Sequence, residues 1–425
     1  MHNFGWLVVE KLVRLVLGVG VGFWVARYLG PVGFGSLGYC AALVALVGIL
    51  PELGLDPVLK RDLLQAPAKT AELLVSAFVL RLSAGVLAYG LVLVVVLGRW
   101  GLSEEESRLL AILGLLLFQP AWFTIDLWLQ VHLRAKLSIG MLLIALVICS
   151  AWRIQLILRG ASVAAFAWVI TAEMFLGALG ITIAAYRAGL RLPTLRPQLA
   201  LMRRLVRESW PLLFAGVAVV VYMKIDVVML KQMMGPEAAG IYTAATRLSE
   251  VWYFFPVALG SSVLPAILRA RGRDPGTYRL RLQQYYDLSA GVAYALSIPI
   301  ALAAPWLVKL AYGAAFAPAG PILAVHIWSS IFVFLGVARG QWLVNESLQT
   351  FYLFTVLAGA VLNVGLNLLL IPRWGGLGAA YATVAAYALA AWLASYCHPA
   401  VRETAGMQSR ALLIPFRAWR YLRDS

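Results

Sequence analysis

The chain has few of the residues that metal proteins and thiol enzymes rely on, with only three cysteines and four histidines among 425 residues. Cys40, Cys149 and Cys397 are widely separated and lie in apolar stretches, so neither a disulfide framework nor a CxxC metal site is available. They read as small apolar filler. His2, His132, His326 and His398 show no HExxH or paired spacing, which argues against a histidine metal centre or a catalytic triad. No metal and no cofactor is expected. Charge is scarce too: 13% of residues are charged and 62% are apolar, and a mean hydropathy of +0.85 excludes a water-soluble globule. Acid is scarcer than base, 19 Asp plus Glu against 35 Lys plus Arg. No basic stretch is long enough to form a nucleic-acid-binding domain. The excess of +16 is read as basic cytoplasmic loops, with no nucleic-acid partner.

What the chain does have is apolar runs of membrane-spanning length. They fall at about 6–28, 34–53, 70–98, 107–130, 137–158 and 162–187, and again at about 209–231, 238–266, 284–312, 318–343, 347–371 and 376–397. A span needs roughly 20 apolar residues, so this is an all-α polytopic membrane protein of about twelve helices with no room for a soluble domain. The first run has no basic leader and is longer than a signal-peptide core, so it is read as a permanent helix. With both termini placed inside, 22 of the 35 Lys and Arg fall on the cytoplasmic side, seven fall outside, and six lie within the runs. From Ala411 to Arg423, apolar residues alternate with arginines, as in a helix lying along the membrane surface.

The two sets of six helices also repeat each other. Gly30-Pro31, Gly35 and Pro51 recur as Gly235-Pro236, Gly240 and Pro256 at a shift of 205 residues. Gly160 followed by Ala164-Ala165-Phe166-Ala167 resembles Gly375 followed by Ala379-Ala380-Tyr381-Ala382 at a shift of 215. An even number of helices between copies gives both the same membrane orientation. The expected architecture is two six-helix lobes, 1–200 and 201–400, related by a pseudo-two-fold axis along the membrane normal around a central cavity, with a basic tail over 401–425.

Ionisable residues at membrane depth cost several kcal/mol and face a partner, a bundle interior or water. Glu10 and Arg14 are four apart and Arg247 and Glu250 three apart, so each pair shares a helical face and can neutralise itself. Arg81, Arg153 and Lys224 have no acid at that spacing, and Asp126, Glu173 and Asp226 have no base; their partners must be on other helices, in water or on a substrate. Arg153 lies near a helix end and is expected to snorkel. Cations spread through the bundle suit a passing pyrophosphate, since Arg forks onto phosphate oxygens and Lys acts as a point charge. Trp122, Trp128, Tyr222, Trp252, Tyr253, Phe254 and Phe255 fit the interfacial belt better than a sugar-stacking surface.

Two segments carry a family resemblance. Ala26-Arg-Tyr-Leu-Gly-Pro-Val-Gly-Phe-Gly35, with Leu53-Gly54-Leu55-Asp56 and Arg61-Asp62-Leu63, resembles the opening signature of bacterial polysaccharide-export flippases. Asp226-x-x-Met229-Leu230, Gly235, and Gly240-Ile241-Tyr242-x-Ala244-Ala245-x-Arg247-Leu248-x-Glu250 resembles the same family. This is the Wzx-type branch of the multidrug/oligosaccharidyl-lipid/polysaccharide exporter superfamily. The resemblance implies a bacterial cytoplasmic-membrane transporter, not an enzyme, that flips polyprenyl-pyrophosphate-linked oligosaccharide between leaflets by alternating access. Arg14, Arg81, Lys224 and Arg247 are then expected to line the cleft and contact the headgroup. Glu10, Asp226 and Glu250 would hold those cations or bind a coupling proton or sodium ion. Partners would be the lipid-linked oligosaccharide and membrane lipid. The alternatives are a drug or metabolite antiporter of the same fold, and a membrane polymerase or ligase acting on the same lipid-linked sugars.

Overall fold

The computed structural model describes residues 2–98, 101–191, 196–271, 274–346 and 348–417; the side chains of 2–16, 19, 261, 262, 264–266, 268, 269, 271 and 344 lie outside that description. The described residues are helical throughout, with no strand among them. The chain divides into two compact units, Met1–Val220 and Val221–Ser425.

The first unit begins with α1 (His2–Glu52), α2 (Asp56–Gln65), α3 (Thr70–Leu97), α4 (Glu104–Gly114) and α5 (Gln119–Val131). It continues with α6 (Ala135–Leu158), α7 (Val163–Arg187) and the first part of α8 (Leu199–Met234). Two expected spans merge in α1, but the backbone breaks at Gly30, whose φ of 65° and ψ of 175° belong to a region open to glycine alone. Pro31 follows, with a fixed φ suited to starting a helix and no N–H to leave unbonded. At the other end of α1, Leu53 and Gly54 both take positive φ to reverse the chain into α2. Only glycine fits at 54, because a Cβ there would stand 2.6 Å from the Leu213 backbone nitrogen of α8. Helix α4 starts on a capping box, with Ser103 Oγ accepting from Glu106 N and Ser103 N donating to Glu106 Oε2. The core of this unit gathers Leu55, Leu59 and Leu63 of α2 with Leu73, Leu74 and Ala77 of α3, Leu127 to Leu129 of α5, and Ile181 to Ala185 of α7.

The second unit takes the rest of α8 and then α9 (Pro236–Glu250), α10 (Phe254–Arg271), α11 (Pro275–Tyr312), α12 (Ala319–His326) and α13 (Ser329–Asn345). Helices α14 (Gln349–Trp374), α15 (Gly376–Ala391) and α16 (Arg402–Leu412) complete it. Gly235 repeats the Gly30 geometry, with φ 94° and ψ 174°, again before a proline. The shift of 205 residues read from the sequence thus relates two identical backbone joints. Pro256 explains why the run expected as continuous over 238–266 is instead α9 and α10 separated by a tight turn at Val251–Tyr253. Its ring conflicts with the carbonyl four residues earlier, and it donates no hydrogen bond. The core here joins Tyr285, Tyr286, Ala290 and Ala293 of α11 to Phe334, Leu335 and Ala338 of α13 and to Met407 and Ala411 of α16.

Ten helical segments of the described residues are long and apolar enough to cross a membrane. Leu87, Leu97, Leu302 and Val361 are more than 70% exposed, the condition of side chains that face lipid rather than water. Helix α16 runs over Arg402–Leu412 and buries Met407 and Ala411 in the core of the second unit. Of the surface helix expected over Ala411–Arg423, residues 418–423 lie outside the described residues, and Phe416 is 82% exposed. Of the cysteines, Cys40 and Cys149 are buried and Cys397 is exposed.

Candidate functional site

In the first unit, Arg81 of α3 is 2% exposed and is held on four sides. Its guanidinium donates to the Pro120 carbonyl and Thr124 Oγ1 at 3.2 Å, to the Glu52 carbonyl at 3.2 Å, and to the Asp56 carboxylate. The partner that sequence spacing failed to supply is thus the first residue of α2, delivered by the Leu53–Gly54 turn. The second half of the same segment is electrostatic as well. Asp62 accepts from Arg61 and Arg204, and Glu208 pairs with the same two arginines, bolting α2 to the start of α8.

Arg153 and Glu173, both left without a local partner by spacing, form an ion pair at 2.6 Å between α6 and α7. Arg153 therefore does not snorkel to the surface; the pairing carboxylate was 20 residues away and not visible to a three-or-four rule. The pair stands on the wall of a cavity of about 330 Å³ formed by α5, α6 and α7, together with Gln119 and Trp122. Asp126 accepts from Gln130 Nε2 at 2.7 Å, and its second oxygen is buried with no partner among the described residues. Glu10 and Arg14 fall outside the described residues as side chains.

In the second unit, Lys224 of α8 donates to Glu250 of α9 at 3.1 Å, with the two side chains 33% and 21% exposed. Arg247 is exposed. Two residues from the second sequence motif meet directly: Tyr242 donates to Asp226 Oδ2 at 2.7 Å. Thr383 of α15 donates to the same oxygen, and Asn367 of α14 donates to the other. Asn367 also donates to Asn363 Oδ1 at 3.2 Å. Every member of this set is at most 2% exposed, and no basic side chain among the described residues pairs with Asp226. Asn363 Nδ2 and Asn367 Oδ1 have no hydrogen-bond partner among the described residues. Sequence reading singled out Asp226 but not Asn363, Asn367 or Thr383, which raise no alarm as neutral residues; the signal was two asparagines four apart in an apolar run.

Arg339 is not among the cations expected in the cleft, although it lies within the run at 318–343. It is 2% exposed and donates to the Ala390 carbonyl and to Thr355 Oγ1, with its guanidinium carbon 5.6 Å from the centre of the Phe351 ring. Asp274, outside the spans, accepts from the backbone N–H groups of Gly276 and Thr277 and from the Thr277 hydroxyl. Those bonds hold its carboxyl below the usual carboxylate range.

The architecture is that of a known class of multi-pass membrane transporter. The fold matches an inward-facing multidrug resistance MATE family transporter of the MOP superfamily with a TM-score of 0.70 and 16% identity, over 95% of each chain. It matches the lipid II flippase MurJ, in an inward closed conformation, with a TM-score of 0.64 and 13% identity, over 98% of this chain and 93% of that one. Residues 1–271 match the family model described as "Polysaccharide biosynthesis protein", and the chain belongs to that family. The resemblance read from the two sequence segments is thereby borne out. The chain is also similar to a probable flippase, AglR, of Haloferax volcanii, at 31% identity over 195 residues. That match spans 43% of this chain and 39% of the relative.

Proposed function

We propose that the protein flips polyprenyl-pyrophosphate-linked oligosaccharide from the inner to the outer leaflet of the cytoplasmic membrane by alternating access, with both termini inside. The observation that carries this reading is the polysaccharide-biosynthesis family match over residues 1–271. Similarity to a probable flippase supports it. A sugar chain and a pyrophosphate cannot cross hydrocarbon unaided, whereas a polyprenyl tail need not leave it, so cationic groups reachable from a polar cleft lower the barrier. Lys224 and Arg247 retain exposure and would meet the pyrophosphate directly. Arg81 would do so only by exchanging Asp56 for the substrate, and Arg14 completes the set of cations assigned to the headgroup.

Asp226 is the proposed coupling site. A buried carboxylate ringed by neutral hydroxyl and amide groups has room in its chemistry for a proton or a sodium ion, since oxygen ligands suit a hard cation. Glu250, half-buried beside Lys224, would hold the lysine in position, and Glu10 is assigned the same role toward Arg14.

The test is a deletion strain complemented with the chain and its variants, scored for lipid-linked oligosaccharide retained on the inner leaflet. Complementation by the parent, and its loss on neutralising Lys224 or Arg247 singly, is the expected result. If Arg14, Arg81, Lys224 and Arg247 can each be neutralised with flipping intact and the protein inserted, the reading fails. Drug sensitivity without cargo retention would assign the chain to the antiporters instead.

A further inference from the structure

The cavity of the first unit has a polarity that runs along the membrane normal. At 1.5 Å per residue, Arg153 and Glu173 stand about 8 and 15 Å from the ends of α6 and α7 that meet at their short connection, at Leu158 and Val163. The apolar lining lies deeper: Met174, Leu142 and Ile181 are about 17, 24 and 27 Å from the same ends. The charges therefore sit in the half of the two helices nearer that connection, with Ile170 beside them at about 10 Å, and the rest of the apolar wall runs on toward the other helix ends. The volume of about 330 Å³ is at the lower end of the range for small-ligand sites. The two charges are still reachable, with side chains 16% and 30% exposed.

We infer that this cavity binds a zwitterionic amphiphile, an amino-phosphate lipid whose phosphate meets Arg153, whose ammonium meets Glu173, and whose chain lies along Leu142, Met174 and Ile181. The charge argument selects the class. A net-negative head would take Arg153 and leave Glu173 unpaired on the cavity wall, and a net-positive head would do the reverse; each outcome leaves one charge without a partner at membrane depth. A head carrying both signs replaces the internal pair with two pairs and leaves neither unpaired. Arg is suited to the phosphate by its forked donors, and Trp122, an aromatic of the kind that attracts an ammonium, stands on the same wall.

Trp122 also supplies the measurement. The full chain in nonionic detergent would be titrated with phosphatidylethanolamine or phosphatidylglycerol carrying brominated acyl chains. The quenching due to Trp122 is the difference from a Trp122→Phe variant. The expected result is quenching by the ethanolamine lipid at roughly tenfold lower concentration than by the glycerol lipid, the ratio expected of one charge-assisted contact. Glu173→Gln should reverse that preference, because a lone Arg153 then favours the anionic head, and Arg153→Gln should weaken both lipids. The inference is overturned if neither lipid quenches Trp122, if the parent does not distinguish the two heads, or if Glu173→Gln leaves the ratio unchanged.

Discussion

Among the described residues each unit buries one arginine to the same 2% exposure, Arg81 in the first and Arg339 in the second, yet the two are neutralised by different means. Arg81 has the Asp56 carboxylate. Arg339 has no carboxylate among the described residues; its counter-charge is the C-terminal end of α15, where the Ala390 carbonyl accepts from it and the Ala391 carbonyl accepts from Gln408 of α16. The sequence shifts show how this came about. Tyr286 stands 205 residues after Arg81, and Arg339 stands 215 after Thr124, the same shifts that relate Gly30 to Gly235 and Gly160 to Gly375. In one unit the cation is on α3 and the hydroxyl on α5. In the other the cation is on α13 and the hydroxyl it bonds, Thr355, is on α14, while Tyr286 of α11 holds the place of Arg81 in the repeat.

The sharpest test of that comparison removes the counter-charge. Asp56→Ala leaves Arg81 buried with carbonyl and hydroxyl partners only, and should cost about 3 kcal/mol, read as a lowered midpoint of thermal unfolding in detergent. Arg81→Met should cost less, about 1 kcal/mol, because Asp56 is 56% exposed and can be hydrated when left alone. Arg339→Met strands no charge, so a loss as large as that of Asp56→Ala would refute the account of α15 as its partner.

Asp226 extends the contrast to a buried anion. Asp226→Ala removes the acceptor that Tyr242, Thr383 and Asn367 share and leaves them only their weaker alternatives, the Thr383 hydroxyl, the Ala379 carbonyl and Asn363 Oδ1, so it should destabilise the second unit by about 2 kcal/mol. Asp226→Asn preserves the shape and should keep the thermal midpoint within a few degrees while abolishing ion-dependent transport. A transport cycle that survived Asp226→Asn would remove Asp226 from coupling.

The backbone joints offer a smaller effect. Gly30→Ala and Gly235→Ala meet no neighbouring atom within 4 Å, so their cost, about 1–3 kcal/mol, is conformational and should be alike in the two units. Gly54→Ala adds a clash with the α8 backbone to its positive φ and should cost more than either. The smallest effect is at Asp274. Its carboxyl is depressed in the folded chain, so the stabilisation it gives is present above the ordinary carboxylate range and lost as pH falls through the lowered value. The protection factor of the Thr277 amide, the unfolded exchange rate divided by its own at the same pH, should fall on acidification, and an Asp274→Ala variant should show low protection at every pH.

Much of this was legible because membrane helices are defined by long apolar runs, and because a glycine before proline recurs at the same place in the two halves. Gly30-Pro31 and Gly235-Pro236 were matched from sequence and proved to share the same dihedral region. The pairing of Lys224 with Glu250 and of Arg153 with Glu173 was not legible, since both depend on which helix packs against which. The Asp226 set was half legible: the carboxylate declared itself by charge, while Asn363, Asn367 and Thr383 pass unnoticed among apolar neighbours. Arg339 stands near the end of its apolar run, and its burial depends on the packing of α14 and α15 against it, which spacing along one helix does not reveal.

The distribution of thiols has a practical outcome. With Cys40 and Cys149 sealed inside and Cys397 accessible beside the docked α16, a maleimide dye should attach to the natural sequence at one place. Spectroscopy could then follow the undocking of the terminal helix without building a cysteine-free background first.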